Sequence, residues 1–325
     1  MAGLTLRIIV SSVDALKDFL AEISVQLNAC RHSTSETLKL YIDLEGQNLS
    51  REGTLSLMTV FVLPLNATYI IDIYTLGSLA FNTSTAAPND DGHENASDDN
   101  QEDTSPLTLK SLLEDPTVPK YFWDVRNDAD ALWSHHQVRL AGVIDVQLFE
   151  NASWRRDKTY LKGLDKCIEK DLDLEPTARQ AFAVTKREVR DMMDAARPRE
   201  TVILRLNSSL QKPASSESST AQSSDIFARR PLDTKIIDYC VGDVVHLPAL
   251  FDVYDKRINP VWRQKGMEES AKRVEEACSP GYQPNGMSKR FSPWSTEHEM
   301  AQDYQSFIVA MEYYHDGERM KKTFE

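Results

Sequence analysis

The sequence predicts an α/β fold built on a mixed sheet, and three observations carry that prediction. The stretch 38–45, LKLYIDLE, alternates apolar and polar residues with the period of a strand. Two further apolar runs, 55–63 (LSLMTVFVL) and 67–74 (ATYIIDIY), follow after turns too short for a crossover helix, so the three strands form an antiparallel meander. Beyond residue 106 the pattern changes to strand–helix–strand–helix, the alternation that builds parallel pairings.

Each element has a local reason. Residues 6–10 suit a short strand, and Ser12 offers an N-cap to a helix whose Val13, Leu16, Phe19, Leu20 and Ile23 share one face. After 38–45 a polar turn runs from Gly46 to Gly53, and Pro64 ends the second strand because it cannot donate to a ladder. Residues 107–114 read as a helix closed by Pro116, and 120–125 (KYFWDV) as a fourth strand. Asn127 is placed to cap a helix carrying Ala131, Leu132 and Trp133. Residues 142–148 fit either a fifth strand or a strand running into a helix. Helical patterns follow over 160–170, with Gly163 as a weak spot, and over 177–196. Pro231 opens a long helix from 232 to about 247, which Pro248 kinks or restarts before Tyr254. Residues 268–277 are helical, 279–294 form a Pro- and Gly-rich loop, and 296–314 make an amphipathic helix.

The chain divides into a main domain over 35–257, to which the strand and helix of 1–34 attach, and a helical extension over 258–325 that could dock a protein partner. Two stretches interrupt the main domain. Residues 85–106 hold seven acidic residues and no Lys or Arg, and 207–225 are Ser-rich; both compositions read as disordered loops.

Composition narrows the class. No run approaches the roughly 18 apolar residues of a membrane span, and the first residues lack the pattern of a signal peptide. The four cysteines are scattered without a CxxC pair, which argues against a zinc ribbon or a disulfide framework. A cytoplasmic or nuclear protein away from membranes is expected. A net charge of −13 weighs against a nucleic-acid partner, yet part of it sits in 85–106. A metal site made of carboxylates also reads as negative until it is filled.

The chemistry lies at three places. Successive strand side chains point to opposite faces, so Asp43 and Glu45 project together from the end of 38–45. Two adjacent carboxylates repel unless a cation sits between them, and hard divalent ions favour such oxygens. A solvated acidic strand end is the plain alternative. Further on, Asp124, Asp128 and Asp130 cluster where a strand hands over to a helix, the place where α/β folds seat ligands. Acids at a helix start also answer the dipole alone. On the long helix Tyr239, Asp243, His246 and Leu250 share one face, with Tyr239 and Asp243 one turn apart.

These motifs stand in a telling order: Asp43-Leu44-Glu45, then Asp128 with Leu132 four residues on, then Tyr239-Cys240-Val241-Gly242-Asp243. In that order and spacing the sequence resembles the ribonuclease D / Werner-type 3′–5′ exonucleases of the DEDDy type, over about residues 35–255. Within that group it looks like the eukaryotic exonuclease-domain proteins with a DLEG first motif. The resemblance implies a ribonuclease H-like fold, with a mixed five-stranded sheet flanked by helices and a helical C-terminal extension. It implies release of 5′-mononucleotides from the 3′ end of RNA or DNA, with two Mg²⁺ or Mn²⁺ ions about 4 Å apart. By the same resemblance Asp43 bridges the two ions, Glu45 and Asp243 complete the site of the attacking water, and Asp128 holds the second ion. Tyr239 orients the water.

Leu44 and Gly46 would seat the terminal nucleotide. Arg126, Arg155 and Arg156, with Lys158 and Lys162, or else Arg229 and Arg230, would track phosphates, although basic runs on helices are usually only solvated faces. Trp123 stands where relatives often place a His and reads as a core or wall aromatic. His246 reads as a neighbour of the site rather than a catalyst, and His135-His136 as surface. Two other functions compete: a catalytically silent RNA-binding adaptor that keeps the fold, and a metal-dependent phosphohydrolase acting on nucleotides.

Overall fold

The computed structural model describes residues 5–31, 37–85, 106–154, 157–196, 225–298 and 300. The two inserts lie almost wholly outside these residues, as does nearly all of the helix expected over 296–314.

Six strands form the sheet: β1 (Leu6–Val10), β2 (Leu40–Glu45), β3 (Leu57–Val62), β4 (Ala67–Asp72), β5 (Lys120–Phe122) and β6 (Val143–Asp145), in the spatial order β1-β4-β3-β2-β5-β6. The β2–β3–β4 meander is antiparallel, while β1 on β4, β5 on β2 and β6 on β5 are parallel. The sheet therefore has six strands, not five. The extra strand is β1, whose Leu6 pairs with Ala67, so its place depends on a partner far away in sequence. β3 is buried along its whole length, as a strand covered on both faces must be.

Both faces carry helices. On one face Leu40, Ile42, Leu44, Met58 and Val60 pack with α1 (Val13–Arg31) through Leu16, Phe19, Leu20 and Ile23. Short helices α2 (Ile73–Leu76), α3 (Leu79–Asn82) and α4 (Leu109–Glu114) and the apolar side of α5 (Arg126–His136) complete that layer. On the other face Tyr41, Phe61 and Tyr121 meet α6 (Val146–Ser153), α7 (Leu164–Asp171) and a later helix bearing Leu250, Phe251 and Tyr254. On that same face Leu57 and Ile70 meet Val189 of α8 (Pro176–Ala196) and Ile236, Cys240 and Val241 of α9 (Thr234–Val245). Asp43 and Glu45 lie opposite Thr59 and Leu57 of β3, on the face shared by these last two clusters.

Several local expectations change. Residues 142–148 are a strand running into a helix, β6 into α6, and the long helix breaks at His246 into α9 and α10 (Leu247–Arg257), with Pro248 in the first turn of the second. Asn127 does not cap α5; Val125 holds that position, and the Asn127 side chain accepts from Tyr282 and Lys289 instead. Gly163 is the N-cap of α7 rather than a weak spot within it. A further helix, α11 (Pro260–Ala277), starts eight residues before its sequence pattern suggests, capped by Asn259. It packs on β6, α5 and α6. All four cysteines are free thiols. No described helix is long and apolar enough to cross a membrane.

Candidate metal centre and active site

The site forms where β2 and β5, parallel neighbours, both end. Their pairing covers only Leu40 with Lys120 and Tyr41 with Tyr121, after which the strands part. The divergence leaves the backbone of β2 open just where Asp43 and Glu45 project. The Leu44 N–H finds its acceptor in the Asp128 carboxylate, at 3.2 Å. One hydrogen bond thus sets the first turn of α5 against the end of β2.

The turn that delivers Asp128 is held from below. Asp124 adopts φ 64°, a region Asp tolerates better than most residues. The Asp145 carboxylate accepts from the N–H groups of Asp124 and Val125, both at 3.0 Å, and from that of Gln147 at 3.1 Å. Arg273 of α11 donates to the same carboxylate at 2.6 Å. Both groups are buried, Asp145 fully.

Three acids compete for the second position, and their partners separate them. Asp124 is bound by both arms of Arg126, at 2.5 and 2.7 Å; burial raises its pKa, but the Arg126 guanidinium outweighs this and holds it low. Asp130 is fully buried and takes the Arg51 N–H and Nε at 2.7 and 2.6 Å. Among the described residues Asp128 has no such cation; burial, then Asp43 and Asp124, push its pKa well up. Of the three, Asp128 is the carboxylate that faces Asp43.

Asp243 arrives from α9, one turn after Tyr239. The helix buries Ile236, Cys240, Val241 and Val244 against the sheet, which turns the Tyr239–Asp243 edge toward β2. Ligand atoms of Asp43, Glu45 and Asp243 all lie within 4.8 Å of one another. All three carboxylates are raised in pKa, Asp243 by burial against the opposing Lys186 charge. Asp43 is pushed up to about 7 by burial and then by Asp243, and Glu45 well above its usual value by burial and then by Asp43. Tyr239 is also raised, by the Glu45 charge first and then by burial, so its hydroxyl stays protonated. Clustered hard oxygens with surplus negative charge suit a divalent cation.

A second group of ligand atoms, from Glu150, Cys167 and Asp171, makes an instructive contrast. There Lys162 and Trp154 already bind Glu150, while Tyr254 and Arg257 bind Asp171. Each carboxylate already has a cation of its own, Lys162 for Glu150 and Arg257 for Asp171.

The raised Asp43 pKa has a measurable consequence for the metal-free protein. Its folded pKa lies near 7 against 3.8 for the free side chain. Between those values the folded state holds a proton that the unfolded chain has lost, so the group's contribution falls as pH rises and is most unfavourable above 7. Asp43→Asn is therefore expected to stabilise the EDTA-treated protein at pH 8 by about 2 kcal/mol and to change little at pH 4. Chemical denaturation at the two pH values checks this; equal effects at both would count against it.

The residues expected to bind nucleic acid divide. The Leu44 side chain points into the core on the far face of β2, 3% exposed, leaving only its backbone at the site. Gly46 has a packing reason: a Cβ there would stand 2.0 Å from the Thr54 carbonyl oxygen. Gly46→Ala should cost stability accordingly, visible as a lowered Tm, because backbone must move to admit the methyl group. Arg126 is buried and committed to Asp124 and to the Lys289 carbonyl, so it does not line an open groove. Arg230 likewise binds the buried Asp72 and the carbonyls of Phe227 and Arg229. Both read as surface cations in the sequence because their acidic partners are not evident there. Arg229 is exposed. Arg155 and Arg156 lie outside the described residues. Lys158 and Lys162 stand over the rings of Trp262 and Trp154. Trp123 is half-buried against the Tyr41 cluster, and His246 lies edge-on to Phe182. His135 and His136 are not simply surface: His135 bonds the Ser50 carbonyl and His136 packs on Phe81.

One residue of the site has no signal in the motifs. Lys186 of α8 is 7% exposed, and its ammonium donates to the Asp243 carboxylate. It also lies 3.8 Å from the centre of the Tyr239 ring.

Fold and site together define a class: a mixed α/β sheet of ribonuclease H-like type with an acidic cluster at the ends of two parallel central strands. No protein-family model matches the sequence, and no curated protein matches it. Among solved structures the chain is similar to Trypanosoma brucei RNase D, at 18% identity and a TM-score of 0.54, with 86% of this chain and 75% of that one covered. It is similar also to the complex of Trypanosoma brucei RNase D with RNA U12, at 16% identity and a TM-score of 0.51, over 86% of this chain and 72% of that one. The RNase D type of fold implied by the motifs is the fold observed.

Proposed function

We propose that the protein is a metal-dependent 3′–5′ exonuclease that hydrolyses phosphodiester bonds of RNA or DNA and releases 5′-mononucleotides. The observation that carries this reading is the convergence of Asp43, Glu45 and Asp243 within 4.8 Å, with Asp128 fixed beside them by the Leu44 N–H. The RNase D fold supports it. Asp43, Glu45, Asp128 and Asp243 would hold two Mg²⁺ or Mn²⁺ ions. When bound, such ions lower the pKa of water and neutralise a leaving 3′-oxyanion.

The chain's own part is orientation. Asp43 is the carboxylate whose charge bears on both Glu45 and Asp128, which supports a role for it in holding both ions. Tyr239, one helical turn from Asp243, would orient the water through a hydrogen bond from its hydroxyl. Tyr239→Phe is therefore expected to lower kcat about a hundredfold with little change in KM. A loss confined to KM would assign Tyr239 to substrate binding instead.

A second reading has one observation in its favour. The Lys186–Asp243 pair already offsets part of the cluster's charge, as a silent RNA-binding adaptor with the same fold would need. Incubation with single-stranded RNA and DNA oligonucleotides, labelled at either end, with Mn²⁺ separates the two. Mononucleotides released from the 3′ end, and lost with EDTA, support the exonuclease. Binding without product on both substrates sinks it in favour of the adaptor.

A further inference from the structure

Lys186 enters the site from a helix that carries none of the motif residues, 57 residues before Asp243. Its ammonium touches the Asp243 carboxylate on one side and stands 3.8 Å from an Asp165 carboxylate oxygen on the other. Asp165, on α7, is also bound by Arg190, one turn beyond Lys186 on α8. A buried lysine between two carboxylates has two places to rest. One belongs to the acidic cluster and the other does not.

The contact is not needed to join the helices. α8 meets α9 through Val189 in a shared apolar cluster with Ile236, Cys240 and Val241. Phe182 fills the space beside Gly242, 3.3 Å from where a Cβ would be. With the helix pair packed in this way, the ammonium is a charge placed against a candidate metal ligand.

We propose that Lys186 is the resident counter-ion of the carboxylate cluster: it pairs with Asp243 while no metal is bound and moves to Asp165 when a divalent cation takes Asp243. The inference rests on the metal-centre reading above. No bond forms or breaks; one cation replaces another on a carboxylate, and the displaced ammonium keeps a partner. Lys186 is in this sense a positioning residue for metal loading, and Asp165 is its second seat.

Mn²⁺ titration followed by calorimetry tests this on the full chain, with Lys186→Met, Asp165→Asn and the double variant. Lys186→Met removes the competitor, so Mn²⁺ should bind about tenfold tighter. Asp165→Asn removes the second seat, so Mn²⁺ should bind more weakly. In the Lys186→Met background Asp165→Asn should have no effect, because it acts through the lysine. A mere field effect of the lost charges would instead give Asp165→Asn the same effect in both backgrounds, and that result overturns the proposal. So does unchanged or weaker binding by Lys186→Met. Should that variant fail to fold, Asp165→Asn, at a side chain 30% exposed, carries the test, and unchanged affinity there overturns it. Wild-type protein that binds no Mn²⁺ takes down the metal centre as well, whereas binding with the wrong order among variants removes only the exchange.

Discussion

The Asp43→Ala, Glu45→Ala double variant is expected to release no mononucleotide above background, a fall of at least about a thousandfold in kcat. The size follows from what is removed. Two of the three carboxylates within 4.8 Å of one another vanish, and Asp128 loses the neighbour that faces it. Divalent ions contribute several kcal/mol of charge stabilisation in such reactions, and each 1.36 kcal/mol is tenfold in rate. Mn²⁺ binding should be lost in parallel, while folding should survive. Relieved of clustered charge, the variant should melt no lower than the EDTA-treated wild type. Activity that persists in the folded double variant would place the chemistry elsewhere.

The second large effect is on stability. Arg273→Met should cost about 3 kcal/mol in denaturant unfolding, because it leaves the fully buried Asp145 without its cation. The cost stays at the low end of the range for broken buried pairs because three N–H groups still donate to Asp145. Arg273→Lys should restore a large part of it, since one guanidinium nitrogen, Nη1, donates to both Asp145 and the Gln147 side-chain oxygen, and an ammonium can likewise serve two acceptors. Turnover should fall as well, through the loosened turn before Asp128. A variant as stable as wild type would show that the pair contributes nothing net.

How much of the site is legible in the sequence depends on the range of each interaction. Asp43 with Glu45, and Tyr239 with Asp243, share faces by the period of a strand and of a helix, which are local properties. Asp128 is preferred over Asp124 and Asp130 by spacing, but the physical reason lies in Arg126 and Arg51, which occupy the other two. Arg126 and Arg230 illustrate the limit. Each looks like a free cation in sequence, yet Arg230 reaches Asp72, 158 residues away. Lys186 is the opposite case: an ordinary lysine on an amphipathic helix becomes part of the site because α8 packs on α9. β1 completes the sheet only through β4, and one isolated apolar run cannot announce its partner.

The Asp145–Arg273 pair also bears on the order in which the protein is made. All five proposed active-site residues have left the ribosome once Asp243 emerges, thirty residues before Arg273. Until α11 follows, the carboxylate that fixes the turn before Asp128 has its three backbone N–H donors but lacks its cation and the helix that packs on β6. A chain that has reached Asp243 thus holds all five proposed reacting groups before the helix that braces the turn leading to Asp128.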